Sequence, residues 1–302
     1  VTVDEAIDRA CNEAGIHPPQ QRAYGKWLNA DTLTGKKGKG DGRLMVNEHY
    51  VTAYNWQTGV TATVKLRDGV TAKEQREISR AVAKAKEKAA QDAARAAQQA
   101  GVLLARAQMT THAYLAAKGF RDEPVPVVAA QAVRDIGSSY LVAGSHAIVV
   151  PARRAGAITS VQLIWEDGTK KFLFGGEIGG SSHRIATGVY TWLCEGLATG
   201  LSLRAALRGL KIQATILCCF SASNVATVAR QVRGRAFVAA DNDKPLPQFG
   251  GIGTGEHYAK QTGLPFGMPP VVQTDFNDMH QAESIFAVQR VLTSVMAGRR
   301  AA

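Results

Sequence analysis

Apolar positions near the start of the chain recur every three to four residues: Val3, Ala6, Ile7, Ala10, Cys11 and Ala14. That spacing predicts an amphipathic helix over residues 3–16. His17-Pro18-Pro19 stops it, because a residue before proline is pushed out of helical backbone. A strand-like stretch follows, with Tyr50, Tyr54 and Trp56 interleaved among polar residues. These aromatics pack in a core or hairpin, or stack on bases. From Thr71 to about Gln108 the sequence is rich in Ala, Lys, Glu, Gln and Arg, with Gly101 as internal breaker. This predicts a helix or helix pair roughly 50 Å long. His112–Phe120 closes the helical region, with Gly119 as C-cap. The pattern then turns to β. Ala147–Pro151, Ile158–Glu166 and Lys170–Phe174 read as strands of a small antiparallel sheet, and Glu166-Asp167-Gly168-Thr169 as a hairpin turn.

The last third alternates. Strands are expected at 188–194, 214–220, 235–240 and 271–274, and helices at 199–207, 221–232, near 253–261 and at 281–297. Such alternation predicts an α/β unit whose parallel sheet is covered on both faces. The expected organisation is a basic N-terminal α/β region at 1–70, a long helical segment at 71–118, a β-rich subdomain at 119–187, and the α/β unit with its closing helix at 188–302. As a class this is α/β: a Rossmann-like parallel sheet, a small antiparallel β/α subdomain before it, and a helical N-terminal region. No internal repeat is visible.

Charge changes the picture. The net charge is +11, and such an excess points to a polyanionic partner or to a basic surface that only confers solubility. Thr34-Gly35-Lys36-Lys37-Gly38-Lys39-Gly40-Asp41-Gly42-Arg43 is a glycine-rich cationic loop, suited to close approach to phosphate or simply an exposed turn. Between Lys73 and Arg95 seven basic residues (73, 76, 80, 84, 86, 88, 95) face four acidic ones (74, 77, 87, 92), as in a solvated spacer or a DNA-tracking arm. Arg153, Arg154, Lys170, Lys171 and Arg184 cluster around the β-rich subdomain. The four cysteines form no C-x₂-C pair, so neither a structural zinc site nor a disulfide is expected. No apolar run approaches the ~18 residues of a bilayer span, and the acidic, amphipathic start is unlike a signal peptide. A cytoplasmic protein is expected. The chain opens without methionine, as a segment excised from a longer one would.

Two acidic signals carry the chemistry. Thr191-Trp192-Leu193-Cys194-Glu195-Gly196 and Phe237-Val238-Ala239-Ala240-Asp241-Asn242-Asp243 are apolar strands ending in carboxylate. Parallel strands deliver their C-terminal ends to one edge of a sheet, so Glu195, Asp241 and Asp243 are expected to meet there as hard oxygen ligands suited to Mg²⁺. A surface turn neutralised by Lys244 is the bland alternative for Asp-x-Asp. A third acidic element, Thr274-Asp275-Phe276-Asn277-Asp278, follows the last expected strand, and its aspartates can also serve as helix caps.

Trp192-Leu193-Cys194-Glu195-Gly196-Leu197-Ala198-Thr199-Gly200 resembles the E-G-x-A-T-G signature of TOPRIM primases of plasmids and satellite phages. Asp241–Asp243, Gly250–Gly255 and Thr274–Asp278 follow in the order of that family's D-N-D, glycine-rich helix start and T-D-F-N-D. Upstream, His112–Phe120 is similar to its H-x-Y-L-x-x-K-G, and Val149–Arg153 and Ser160–Ile164 resemble the segments before the TOPRIM unit. The resemblance covers about residues 105–285 firmly and 20–104 loosely. It implies synthesis of a short RNA primer on single-stranded DNA from ribonucleoside triphosphates, with Mg²⁺ (or Mn²⁺) held by Asp241, Asp243 and Glu195 and completed by Asp275 and Asp278. Glu195 would share metal or transfer a proton. Arg153, Arg154, Lys170, Lys171 and Arg184, with Lys36, Lys37, Lys39 and Arg43, would contact nucleic acid or nucleotide, and a replicative helicase is a candidate partner. Two departures stand out: Thr199 occupies the place where replicative primases carry a further aspartate, and the usual upstream zinc module is absent. No G-x₄-G-K-[ST] is present, and Gly251-Ile252-Gly253-Thr254-Gly255 fails the dinucleotide fingerprint at Glu256. The competing classes are a TOPRIM nuclease, a topoisomerase, for whose gate domain the chain leaves little room, and a DNA-binding module with an inactive site.

Overall fold

In a computed structural model, residues 1–34, 37–66 and 70–298 are described. The chain forms two compact units, Val1–Gln91 with Pro247–Gly251, and Asp92–Leu246 with Ile252–Ala302.

The first unit opens with α1 (Val3–Ala14), whose N-terminus is closed by a reciprocal pair: the Thr2 hydroxyl accepts from the Glu5 N–H and the Glu5 carboxylate from the Thr2 N–H. The helix ends two residues earlier than expected. Gly15, at φ 70°, lets its own N–H turn back onto Cys11 and Asn12, so the stop precedes the prolines. Strands β1 (Leu28–Ala30), β2 (Gly42–Val46), β3 (Tyr50–Asn55) and β4 (Thr61–Lys65) form an antiparallel sheet in that order. Alternate residues Leu44, Val46, Val51, Ala53, Ala62 and Val64 share a core with Ala6, Ile7, Ala10 and Cys11 of α1. The N-terminal region is thus one helix on a four-stranded antiparallel sheet. The period-two pattern of short strands governs it. Tyr54 and Trp56 meet edge to face at 4.7 Å, and Trp56 stays exposed.

A single helix, α2 (Ala72–Arg106), follows. Ile78 and Val82 join the core of the first unit, and Ala96, Ala100 and Leu103 a core of the second. Next come β5 (Gln108–Thr110), α3 (Ala113–Ala117), β6 (Val125–Ala129), α4 (Ala130–Asp135), β7 (His146–Arg154), β8 (Ala157–Trp165) and β9 (Lys170–Phe172). The expected small antiparallel sheet is present but has five strands, β5-β6-β7-β8-β9, since the sequence pattern left β5 and β6 unread. One face, with Val149, Val161, Leu163 and Trp165, packs on the end of α2.

The final stretch is β10 (His183–Ala186), β11 (Tyr190–Cys194), α5 (Leu197–Gly209), β12 (Ala214–Cys218), α6 (Ala222–Ala229), β13 (Ala236–Ala239), α7 (Thr254–Gln261), β14 (Phe266–Gly267), α8 (Phe276–Ala282) and α9 (Ile285–Met296). Its sheet runs β10-β12-β11-β13-β14, parallel except for the antiparallel edge strand β10. Trp192, Cys194, Phe237 and Ala239 point to one face, with Leu203 of α5 and Val288 and Leu292 of α9. Leu193, Val238 and Ala240 point to the other, with Val225 of α6 and Ala259 of α7. The antiparallel sheet turns Ile148, Val150 and Ile164 onto Leu197 and Leu201 of α5.

Two expectations fail here. Val271–Thr274 is no strand: Gln273 has φ 64°, Val271 and Val272 are exposed, and only Thr274 makes an isolated bridge, to Asn242. The closing helix is two helices, because the Ser284 side chain accepts from the Ala287 N–H and starts a new one. Among the described residues no helix is long and apolar enough to cross a membrane.

Trp192 is fully buried and stacks on Phe237 at 4.9 Å. Trp192→Ala is expected to cost about 3–5 kcal/mol in chemical denaturation, while Val189→Ala, at 80% exposed, costs almost nothing.

Candidate active site

Strands β11 and β13 are neighbours in parallel register, Leu193 opposite Val238. Their buried apolar residues run out at the C-terminal edge, where the first polar side chains are Glu195 and Asp241. The Glu195 carbonyl accepts from the Phe220 N–H at 2.8 Å, and its carboxylate from the Ala222 N–H at the start of α6. Asn242 anchors the loop after β13. Its N–H donates to Thr274 O at 3.0 Å and its side-chain amide to Pro269 O at 2.9 Å. The aspartates on either side of it, Asp241 and Asp243, line a cleft of about 470 Å³ with Asp275 and Asp278.

Sequence explains why the cleft closes so tightly. Asp243 Oδ2 accepts from the Gly255 N–H at 2.8 Å, in the first turn of α7. A Cβ at Gly255 would collide with the Asp241 carbonyl oxygen, and one at Gly253 with that of Asp243. The glycine-rich segment thus lets the start of α7 press on the backbone of the acidic loop. Asp275 and Asp278 form a reciprocal cap on α8: Asp275 Oδ1 accepts from the Asp278 N–H at 2.9 Å, and Asp278 Oδ2 from the Asp275 N–H at 3.1 Å. The other Asp278 oxygen meets Lys118 Nζ at 3.3 Å. These two aspartates are therefore substantially satisfied by the protein.

Glu195 and Asp241 are not. Glu195 Oε1 and Asp241 Oδ1 are shut off from solvent and have no hydrogen-bond partner. Both carboxyls are pushed upward from the usual carboxylate range. For Glu195 burial acts first, then the charge of Asp243, opposed by the Ala222 N–H; for Asp241 burial acts first, then the charge of Glu195. Lys170, on β9, is close enough to lower both. Thr199, buried in the first turn of α5, adds a hydroxyl without a partner and no charge.

Buried carboxylate oxygens without donors are what a hard cation would satisfy. Among the described residues no three acidic, histidine or cysteine side chains form a ready-made metal cage. Mg²⁺ needs none, since it keeps several waters and takes one or two carboxylates. Glu195 and Asp241 fit that role, with Asp243 beside them.

The other basic residues singled out in the sequence are spread out. Arg154 is ion-paired with Glu177, the Arg153 guanidinium donates to Gly156 O, Lys171 Nζ donates to Tyr140 O, and Arg184 is exposed on β10. Lys37, Lys39 and Arg43 belong to the first unit, where Lys39 pairs with Asp41 and Arg43 donates to the carbonyls of Gly40 and Gly42. Lys36 lies outside the described residues. Lys118 went unassigned in the sequence; its only signal there was its place in the H-x-Y-L-x-x-K-G string.

The raised carboxyls hold protons in the folded chain where the unfolded chain has lost them. Without divalent cation, their contribution to stability is complete below the ordinary carboxylate range, near pH 4, and is lost as pH rises toward their folded values. At about pH 8 in chelator, Asp241→Asn is expected to melt above the wild type, and Mg²⁺ to raise the wild type only. A wild-type melting point indifferent to pH and Mg²⁺ would contradict this. Gly255→Ala is expected to abolish the Mg²⁺ response by displacing the acidic loop, which the same melts read.

No protein-family model matches the chain, and no curated protein does. Solved structures are similar at 15% identity. One shows the bacteriophage T7 lagging-strand DNA polymerase interacting with primase domains of two gp4 subunits bound to an RNA/DNA hybrid and dTTP; 51% of this chain and 79% of that chain are covered, with a TM-score of 0.37. Another is the primase fragment of the bacteriophage T7 primase-helicase protein, with 50% of this chain and 64% of that chain covered and a TM-score of 0.37. Likeness at that level says nothing about chemistry.

Proposed function

We infer that this chain is the catalytic part of a TOPRIM-type DNA primase, joining ribonucleotides into a short primer on single-stranded DNA. The observation that carries the reading is the pair of buried, unpartnered oxygens on Glu195 and Asp241, at the ends of adjacent parallel strands. Two neighbouring carboxylates that each keep one buried oxygen without a donor are suited to binding Mg²⁺. Bound there, Mg²⁺ supplies stabilisation of phosphate charge and a more acidic primer 3′-hydroxyl. Asp241 and Glu195 are the residues that hold it, with Asp243 as neighbour. Asp275 and Asp278 are assigned to bracing the cleft, given the hydrogen bonds they already accept.

Glu195 either shares the metal or takes the proton of the attacking 3′-hydroxyl at its carboxylate; its raised proton affinity belongs to the metal-free site. Lys170 brings positive charge to the same edge and is assigned to the incoming triphosphate, whose pyrophosphate leaves as the primer 3′-oxygen bonds to the α-phosphorus. Arg153, Arg154, Lys171 and Arg184 remain assigned to the template backbone, as expected of exposed cations around a polyanion. A replicative helicase is proposed as partner, since the chain has no phosphate-binding loop of its own for unwinding.

The test is synthesis on single-stranded oligonucleotides with labelled ribonucleotides and Mg²⁺ or Mn²⁺. Wild type is expected to make short, template-dependent RNA, and Asp241→Ala with Asp243→Ala to make none while keeping most of its DNA affinity. Cleaved template without new RNA would place the chain among nucleases. Silence together with intact DNA binding would leave a binding module.

A further inference from the structure

The first unit has a site of its own, apart from the carboxylates. A cleft of about 1060 Å³ opens beside β1, lined by His17, Lys26, Trp27, Asp31, Lys37 and Lys39. Trp27 is 48% exposed, whereas Trp165 and Trp192 are fully buried. Its indole therefore contributes little to a core and presents an aromatic surface beside three ammonium groups.

The one carboxylate in this lining is already occupied. Asp31 Oδ2 accepts from the Gly38 N–H at 2.7 Å and Oδ1 from the Gly40 N–H at 2.9 Å. Those donors hold its carboxyl below the usual carboxylate range, so it stays charged and fastens the backbone of Gly38 and Gly40. Gly38 and Gly40 have φ 81° and 65°, backbone that lets both N–H groups converge on one side chain. The backbone at Gly38 and Gly40, next to Lys37 and Lys39, is thus held against Asp31, just after β1, while Lys26 and Trp27 approach from just before it.

We propose that this cleft binds single-stranded DNA, with phosphates on Lys26 and Lys37 and a base stacked on Trp27, while Lys39 stays paired with Asp41 at 2.9 Å. Cations alone would suit any polyanion. The exposed indole narrows the choice, because only an unpaired base offers its face for stacking. Duplex DNA keeps its bases covered, and an acidic peptide has no flat ring to match. The choice of DNA over RNA rests on the primase reading; the cleft itself does not.

The test is quenching of tryptophan fluorescence by a thymidine oligonucleotide. It uses the intact chain carrying Asp241→Ala and Asp243→Ala, so that no chemistry occurs. Trp27→Ala in that background is expected to weaken binding about tenfold, Trp27→Phe to keep most of it, and Trp56→Ala to leave it unchanged. Anisotropy of a labelled oligonucleotide gives the affinity where the quenched indole is removed. Lys26→Gln with Lys37→Gln is expected to lower the slope of log affinity against log salt by about 1.4. Unchanged affinity in Trp27→Ala, or equal competition by duplex, would overturn the proposal; tighter binding of a uridine oligonucleotide would overturn the assignment to DNA. Trp27-dependent binding without primer synthesis by the wild type would sink the primase reading and leave this site standing. Primer synthesis with binding indifferent to Trp27 would do the reverse.

Discussion

Two carboxylates that the fold brings together and declines to satisfy set the terms for the C-terminal half of the molecule. Like charges at the ends of neighbouring strands repel, and burial removes the water that would screen them. A protein with only structural demands would place an apolar or neutral residue there. Here Glu195 and Asp241 each keep an inner oxygen without a donor, while nearly every neighbouring group is tied down. Asn242 is anchored to Thr274 and Pro269, Asp243 to Gly255, and Asp275 and Asp278 to each other's backbone. The contrast separates acids whose oxygens the protein satisfies from two acids that each keep an oxygen unsatisfied.

The scaffold explains how that arrangement survives. The parallel core β12-β11-β13 is packed on both faces, with Trp192 and Phe237 stacked on one side and Leu193 and Val238 buried on the other. A rigid sheet fixes where each strand ends, so the carboxylates cannot relax apart by moving their backbones. Lys170 arrives from the antiparallel sheet and Lys118 from the end of α3, offsetting part of the negative charge from outside the α/β unit. The antiparallel sheet thus contributes charge as well as packing.

Much of this was legible in the sequence because strand ends are local. An apolar run followed at once by Glu195, and another by Asp241-Asn242-Asp243, announces two strands whose acidic ends meet at one sheet edge. Glycines 253 and 255 were visible as well, though their purpose, room for the backbone carbonyls of Asp243 and Asp241, needed three dimensions. The readings that failed were those decided by tertiary contact. Val271-Val272 looks like a strand but is exposed, and the left-handed backbone of Gln273 turns it away. His183–Ala186, without a reading in the sequence, pairs with β12 at the sheet edge. Lys118 is far from the acids in sequence, and no spacing rule reaches across such a distance; Lys170 was read as a cation for nucleic acid or nucleotide, not as a neighbour of the acids.

The central claim is that Glu195 and Asp241 are kept unsatisfied for a divalent cation. It is tested most directly by titrating the chain with Mn²⁺ and following the free-ion electron paramagnetic resonance signal. The account predicts loss of free-ion signal with the wild type, competition by Mg²⁺, and little binding in Glu195→Gln or Asp241→Asn. Binding of equal strength in the wild type and both variants, or no binding in any, would contradict it.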